Sequence, residues 1–374
     1  MHSTRSTLAL PFAAIALFTA CADNARSPVD PTAPTLSTKR EAVSALASTS
    51  VVMSNLNNPR GLAWGPEGAL YVAEAGTNAN VGPCAPVPRG QNCYSGSGSV
   101  SRLWKGAQER IVTGLPSHVL ITAMGAGDIT GPHDVAFEGR GNMYVTIGWG
   151  GPPADRAALG TLGGAFASVI DVKPNGKWDI VADIAAFEQA NNPAGGPLDS
   201  NPFGILAEGG RQYVADAGGN SILQVTPNGG LSLVGTLPPT AASGADPVPT
   251  EVVRGPDGAL YVSQLTGVPF IDGAASVWRI VPGAAPQIDE PGFKTITDID
   301  WGPDGSLYVL QYATGATFFS GPGVLIRVHP NGTRQQIATG LQNPTGVLVG
   351  SDGAVYVSNR GTSVGGGEVL RIVP

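Results

Sequence analysis

Asn58–Gly76 reads NPRGLAWGPEGALYVAEAG, and Asn343–Gly361 reads NPTGVLVGSDGAVYVSNRG. Each holds an apolar run, a tight turn built on Gly with Pro or Asp, then a Tyr-Val run, which is the pattern of two short strands joined by a hairpin turn. Four segments between them repeat the unit: GPHDVAFEGRGNMYVTIG from Gly131, NPFGILAEGGRQYVADAG from Asn201, VPTEVVRGPDGALYVSQLTG from Val248 and TITDIDWGPDGSLYVLQYATG from Thr295. Their tyrosines, Tyr71, Tyr144, Tyr213, Tyr261, Tyr308 and Tyr356, are spaced 73, 69, 48, 47 and 48 residues apart. The base period is set by the last three intervals, and the first two units carry insertions.

Two further strands follow each pair, for example SVSRLWKG with ERIVTGL and VLIRVHPNG with RQQIATGL. Four antiparallel strands per ~40–50 residues is a propeller blade. The expected fold is all-β, a six-bladed β-propeller. The sixth unit is followed only by EVLRIVP before Pro374, so its fourth strand is missing at that end. SVVMSNLNNP from Ser50 resembles the fourth strand RQQIATGLQNP that runs into unit six. Ser50–Leu56 is therefore expected to supply the missing strand and close the last blade, removing exposed edges.

Composition agrees. The chain has 53 Gly and 32 Pro, 13% charged residues and a net charge of −7 with no basic run, which argues against a nucleic-acid partner. Arg5, the apolar stretch Leu8–Phe18 and the small pair Thr19-Ala20 read as a signal peptide over 1–21, too short for a membrane span of ~20 residues. Phe18-Thr19-Ala20-Cys21 resembles a lipobox, so lipidation of Cys21 and ordinary cleavage both stay open. Residues 22–47 read as a flexible linker and 48–374 as the propeller. A secreted, periplasmic or lipid-anchored location follows, with the membrane reached only through that anchor, and a monomer is expected. Cys84 and Cys93 share one Gly/Pro-rich loop and are expected to form a disulfide.

In a propeller the turns between first and second and between third and fourth strands share one face. Here these are tight (GPEG, GPDG, GSDG; KPNG, TPNG, HPNG), so the long segments 76–98, 116–131, 148–165, 183–201, 237–249 and 312–322 all fall on the other face. That face is where a site is expected. Asp183 reads as the N-cap of a short helix ended by Pro193, lying over the same face. Aligned on the tyrosines, the position opening each first strand holds Gly61, Asp134, Gly204, Glu251, Asp298 and Gly346. Asp134, Glu251 and Asp298, with Asn58, Asn201 and Asn343 nearby, form an oxygen-rich ring suited to a hard cation such as Ca²⁺. The alternative is that these groups hydrogen-bond strand ends and channel water. His133 is the candidate general base; His118 has no recognisable partner and His329 sits in a turn. Glu74, Asp216, Gln264, Gln311 and Asn359, three residues after their tyrosines, read as caps for loop backbone.

GPHDVAF with MYVTIG, VADIAAFEQANNPAGGPLDSNPFG, RQYVADAGGN and AVYVSNRGTSVGGGEVLRI together resemble the ScyD/ScyE family, over about residues 50–374. That family is named for bacterial proteins linked to the pigment scytonemin. The resemblance implies an exported six-bladed propeller of the broad NHL type and supplies no reaction. More loosely, the chain resembles the senescence-marker/gluconolactonase propellers, which hydrolyse lactones with one divalent metal at the channel mouth. Asp134, Glu251 and Asp298 stand at similar positions, whereas Arg60-Gly61 and Phe203-Gly204 depart from that pattern. Two functions are carried forward: a propeller binding a small molecule or an extracytoplasmic protein through its looped face, and a metal-dependent hydrolase.

Overall fold

The computed structural model describes residues 42–43, 48–139, 141–316 and 318–374. The signal peptide, Cys21 and most of the expected linker lie outside the described residues. Ala42–Val43, within that linker, pairs in parallel with Gln335-Gln336.

The chain is all-β, and each of the six repeat units opens a four-stranded antiparallel run. Sheet I holds Pro59–Trp64, Leu70–Glu74, Gly98–Trp104 and Ala107–Leu115. Sheets II, III, IV and V begin at Pro132, Pro202, Pro249 and Ile296 and follow the same order. Sheet VI takes Gly346–Val349, Val355–Asn359 and Gly367–Val373, and its fourth strand is Ser48–Leu56, antiparallel to Gly367–Val373. This is the sheet organisation of a β-propeller.

Alternation along each strand sends apolar side chains into the gaps between sheets. Six buried clusters result, each shared by two consecutive sheets. Ile205 and Val214 meet Val169 and Ala182 between II and III, and Met53, Leu56 and Val369 meet Leu62, Leu70 and Val72 between VI and I. Trp64 and Tyr356 add an edge-to-face contact at 5.1 Å, and Trp64 Nε1 donates to Val349 O at 3.2 Å across the same gap.

Two segments differ from expectation. Residues 76–98 and 116–131, read as loops, contain strands: Cys84–Val87, Gly90–Tyr94, His118–Thr122 and Gly125–Thr130 form a seventh sheet. Each insertion folds into a local hairpin, and the pairing Gln91↔Ile121 joins the two across sheet I's outer strands, a contact that no pattern within either insertion records. Cys84 and Cys93 lie directly opposite in the hairpin and are joined, as expected. This sheet is called the flap below. Asp183 caps Ile184–Asn191 as expected, accepting from Ala186 N at 2.9 Å, and Asn192 closes the helix in the left-handed conformation just before Pro193.

Candidate functional site

Five of the six first strands carry a register irregularity at their start, between Pro59 and Leu62, Pro132 and Asp134, Pro202 and Ile205, Pro249 and Glu251, and Ile296 and Asp298. A bulge leaves a residue out of the ladder and re-aims its side chain. The re-aimed residues are Arg60, His133, Phe203, Thr250 and Thr297; with Thr345 in sheet VI they form a belt around one cavity of about 380 Å³. The flap contributes Arg89, Asn92, His118, Leu120 and Gly127–Thr130, and the long-loop face adds Trp149, Tyr312 and Phe319.

Four belt residues are occupied in joining sheets. Thr250 Oγ1 donates to Ile296 O at 3.0 Å, Thr297 Oγ1 to Pro344 O at 3.2 Å and Thr345 Oγ1 to Pro59 O at 2.7 Å. His133 Nδ1 lies 2.9 Å from Pro202 O, the same bond to the next sheet. A carbonyl there makes Nδ1 the protonated nitrogen. Burial and the nearby Arg60 charge push the His133 ring down to about 3, so it is neutral and a feeble base near pH 7. His133 thus makes the same bond to the next sheet that threonine makes at three equivalent positions. Gly148 leaves room for it, since a Cβ there would stand 2.2 Å from His133 Cε1.

Arg60 differs. Its guanidinium donates to Pro59 O at 3.4 Å, to Ile129 O at 3.2 Å and to Gly361 O. All three acceptors are neutral carbonyls, and among the described residues it makes no ion pair. Burial lowers its pKa, partly offset by Tyr312 and Asp128. Asp128 itself pairs with Arg89 at 3.4 Å on the exposed rim. The signal for Arg60 in the sequence is a lone cation at a position otherwise held by His, Thr or Phe.

The acidic ring exists, one residue beneath this belt. Asp134 accepts from Val135 N at 2.8 Å and Ile205 N at 2.9 Å; Asp298 accepts from Ile299 N at 2.6 Å and Val347 N at 2.7 Å. Each aspartate thus clips its own first strand to that of the next sheet. The intervening glycines are steric: a Cβ on Gly61 would stand 1.9 Å from Asp134 Oδ1, and one on Gly204 2.6 Å from Glu251 Cα. Burial, then the neighbouring acids, hold Glu251 and Asp298 well above the carboxylate range, and burial raises Asp134. Among the described residues no three Asp, Glu, His or Cys side chains are placed to hold a metal ion. Carboxylates already committed to strand N–H groups do not fit a calcium cage.

Of the asparagines, Asn58 and Asn201 line the cavity and Asn343 does not. Asn58 and Asn343 have positive φ, 52° and 45°, a conformation asparagine tolerates. Asn58 Nδ2 donates to Gly76 O at 2.8 Å, Asn201 Oδ1 accepts from Trp149 N at 3.0 Å, and Asn343 Oδ1 accepts from Thr362 Oγ1 at 3.3 Å. His118 is buried on the flap, its Nε2 2.9 Å from Trp149 O, against the expectation of no partner. Its Nδ1 is buried without a partner. The capping expectation holds at four of its five positions: Glu74 accepts from Asn57 N, Asp216 from Asn201 N, Gln311 from Lys294 N and Asn359 from Gln342 N, each tying down the segment that enters its sheet, whereas Gln264 accepts from the side chain of Trp278 at 2.9 Å.

No protein-family model matches the chain, and no curated protein matches its sequence. Solved structures do resemble it. A Bacteroides thetaiotaomicron protein of unknown function superposes with a TM-score of 0.54 at 10% identity, covering 87% of this chain and 76% of its own. A putative gluconolactonase gives 0.51 at 12%, covering 89% and 94%. A Xanthomonas campestris gluconolactonase gives 0.50 at 11%, covering 87% and 89%. At these identities the likeness shows the fold alone, a β-propeller.

Proposed function

We propose that the chain is an exported, closed six-bladed propeller of the ScyD/ScyE type that binds a small molecule in the flap-covered cavity. Six sheets follow the six repeats, six apolar clusters occupy consecutive gaps including that between VI and I, and Ser48–Leu56 completes sheet VI; all favour a closed ring with the flap as an insertion. The ordered sequence blocks support the family, and the apolar start followed by Ala20-Cys21 supports export.

The observation that carries the binding reading is convergence: the residue just before the acidic-ring position of all six sheets lines one cavity, and an inserted sheet overhangs it. The volume lies within the ~300–1,000 Å³ of small-molecule sites. Saturation-transfer NMR with a set of neutral and acidic aromatic fragments tests it. Leu265 lines the cavity without a side-chain hydrogen bond of its own, so Leu265→Trp should fill the space and abolish the signals while the far-ultraviolet dichroism is unchanged. Signals that survive Leu265→Trp would remove the cavity from the proposal. The hydrolase reading is tested by melting in Ca²⁺ and in EDTA. The two curves should coincide; calcium-dependent stabilisation lost in Asp298→Asn would restore a metal at the acidic ring.

A further inference from the structure

We infer that the ligand is an organic anion whose carboxylate sits on Arg60 and whose flat apolar body lies against Phe203, Tyr312 and Phe319. The inference rests on the cavity being a ligand site and names the class of molecule it takes.

Charge is the first argument. A cation removed from water is costly unless a counter-charge meets it. Arg60 is half-buried at the cavity, and its three carbonyl acceptors lower the cost of burial without supplying a counter-charge in contact with it. The other ionisable groups around it do not supply the missing anion. His118 and His133 are neutral, pushed down to about 4 and about 3 by burial. Arg89 and Asp128 answer each other at the rim. Asp134, Glu251 and Asp298 lie beneath the floor, where burial favours their protonated forms and their oxygens accept strand N–H groups. The lining therefore carries one unmatched positive charge. A guanidinium offers five donors in a planar fork that matches a carboxylate, and three hydrogen bonds leave part of that fork open.

The walls are the second argument. Phe203 stacks on His133 with ring centroids 4.5 Å apart, and Tyr312 meets Phe319 edge-to-face at 5.1 Å. Both Phe203 and Tyr312 retain partial exposure, and Phe319 is exposed. Phe319 also packs on Phe270 at 4.4 Å, which holds it in place. Aromatic faces lining the same cavity as one cation suit a planar body with an acidic end.

The probes are 4-hydroxybenzoate and its neutral counterpart 4-hydroxybenzamide, titrated by calorimetry into the full chain at pH 7. The carboxylate should bind about tenfold more tightly than the amide, a preference of ~1.4 kcal/mol. Arg60→Gln should erase the preference, and Arg60→Lys should restore part of it. Equal binding of the two probes by the unaltered protein overturns the anion class without recourse to any variant. If neutral aromatics occupy the cavity and acids do not, the ligand-binding reading stands and this inference falls. If neither kind binds, both fall.

Discussion

Gly204 shows why single positions at the centre tolerate so little. Its absent Cβ is what lets the first strand of sheet III approach Glu251, whose Cα would stand 2.6 Å from such an atom. The obstacle is backbone, which cannot swing aside, so Gly204→Ala should cost about 3 kcal/mol, toward the upper end for overpacking. A urea midpoint within error of the parent would show that sheets III and IV can separate at no cost. The acidic ring makes a second prediction. Raised carboxyl pKa values mean that the folded chain binds more protons than the unfolded one between the ordinary carboxylate range near ~4 and the folded value. Stability should therefore fall as pH rises through that window, which for Asp134 ends at about 7. Asp300, raised by burial to about 6, acts in the same sense. Asp199 and Glu188, raised by burial and by Asp216 to about 6 and about 7, do so too. Urea midpoints should be higher at pH 5 than at pH 8, and Asp134→Asn should flatten the difference. A midpoint that rises with pH would mean that the buried acids are ionised and paired.

At the scale of elements, the flap is the part that length and composition described least well. It is a four-stranded sheet drawn from two insertions, and its outer hairpin is closed by Cys84–Cys93. The hairpin carries Arg89 and Asn92 to the cavity. A crosslink acts mainly by limiting the freedom of the open chain between its ends, and here that chain is one short hairpin. Cys84→Ser with Cys93→Ser should therefore weaken fragment binding about tenfold or more through a loosened flap, while the main unfolding transition moves little. Loss of the whole fold in the double variant would place the flap inside the cooperative core.

For the whole molecule the decisive contact is between its two ends. Ser48–Leu56 pairs with Gly367–Val373, and Met53 and Leu56 are buried against sheet I. Removing residues 48–57 should strip sheet VI of its outer strand, expose an edge and uncover that apolar gap. Lower solubility and a melting temperature reduced by well over ~5 °C are expected, the scale of a shift of a few kcal/mol in a chain of this size. A soluble deletion mutant that melts with the parent would sink the closed-ring proposal.

The sequence by itself determined the repeat, the order of strands within each sheet, the disulfide and the face on which long segments gather. These are legible because hairpin turns and alternation are local: Gly68 in GPEG or Gly353 in GSDG declares its turn without reference to the rest of the chain. Alignment of the repeats also found the acidic ring, yet only the tertiary structure decided its role. Asp134 finds Ile205 N, and Asp298 finds Val347 N, on strands tens of residues away, and no local pattern records that approach. The cavity was missed by one residue for a related reason. A bulge at the start of a strand leaves the hydrophobic alternation nearly unchanged while turning Arg60, His133 and Phe203 toward the cavity. Hydrophobic periodicity reports which way a side chain faces within its own sheet. Which groups from six sheets meet at one point is set by how the sheets pack, and there Asp128, the acid that acts on Arg60, is paired with Arg89, so Arg60 is left without an ion pair of its own among the described residues.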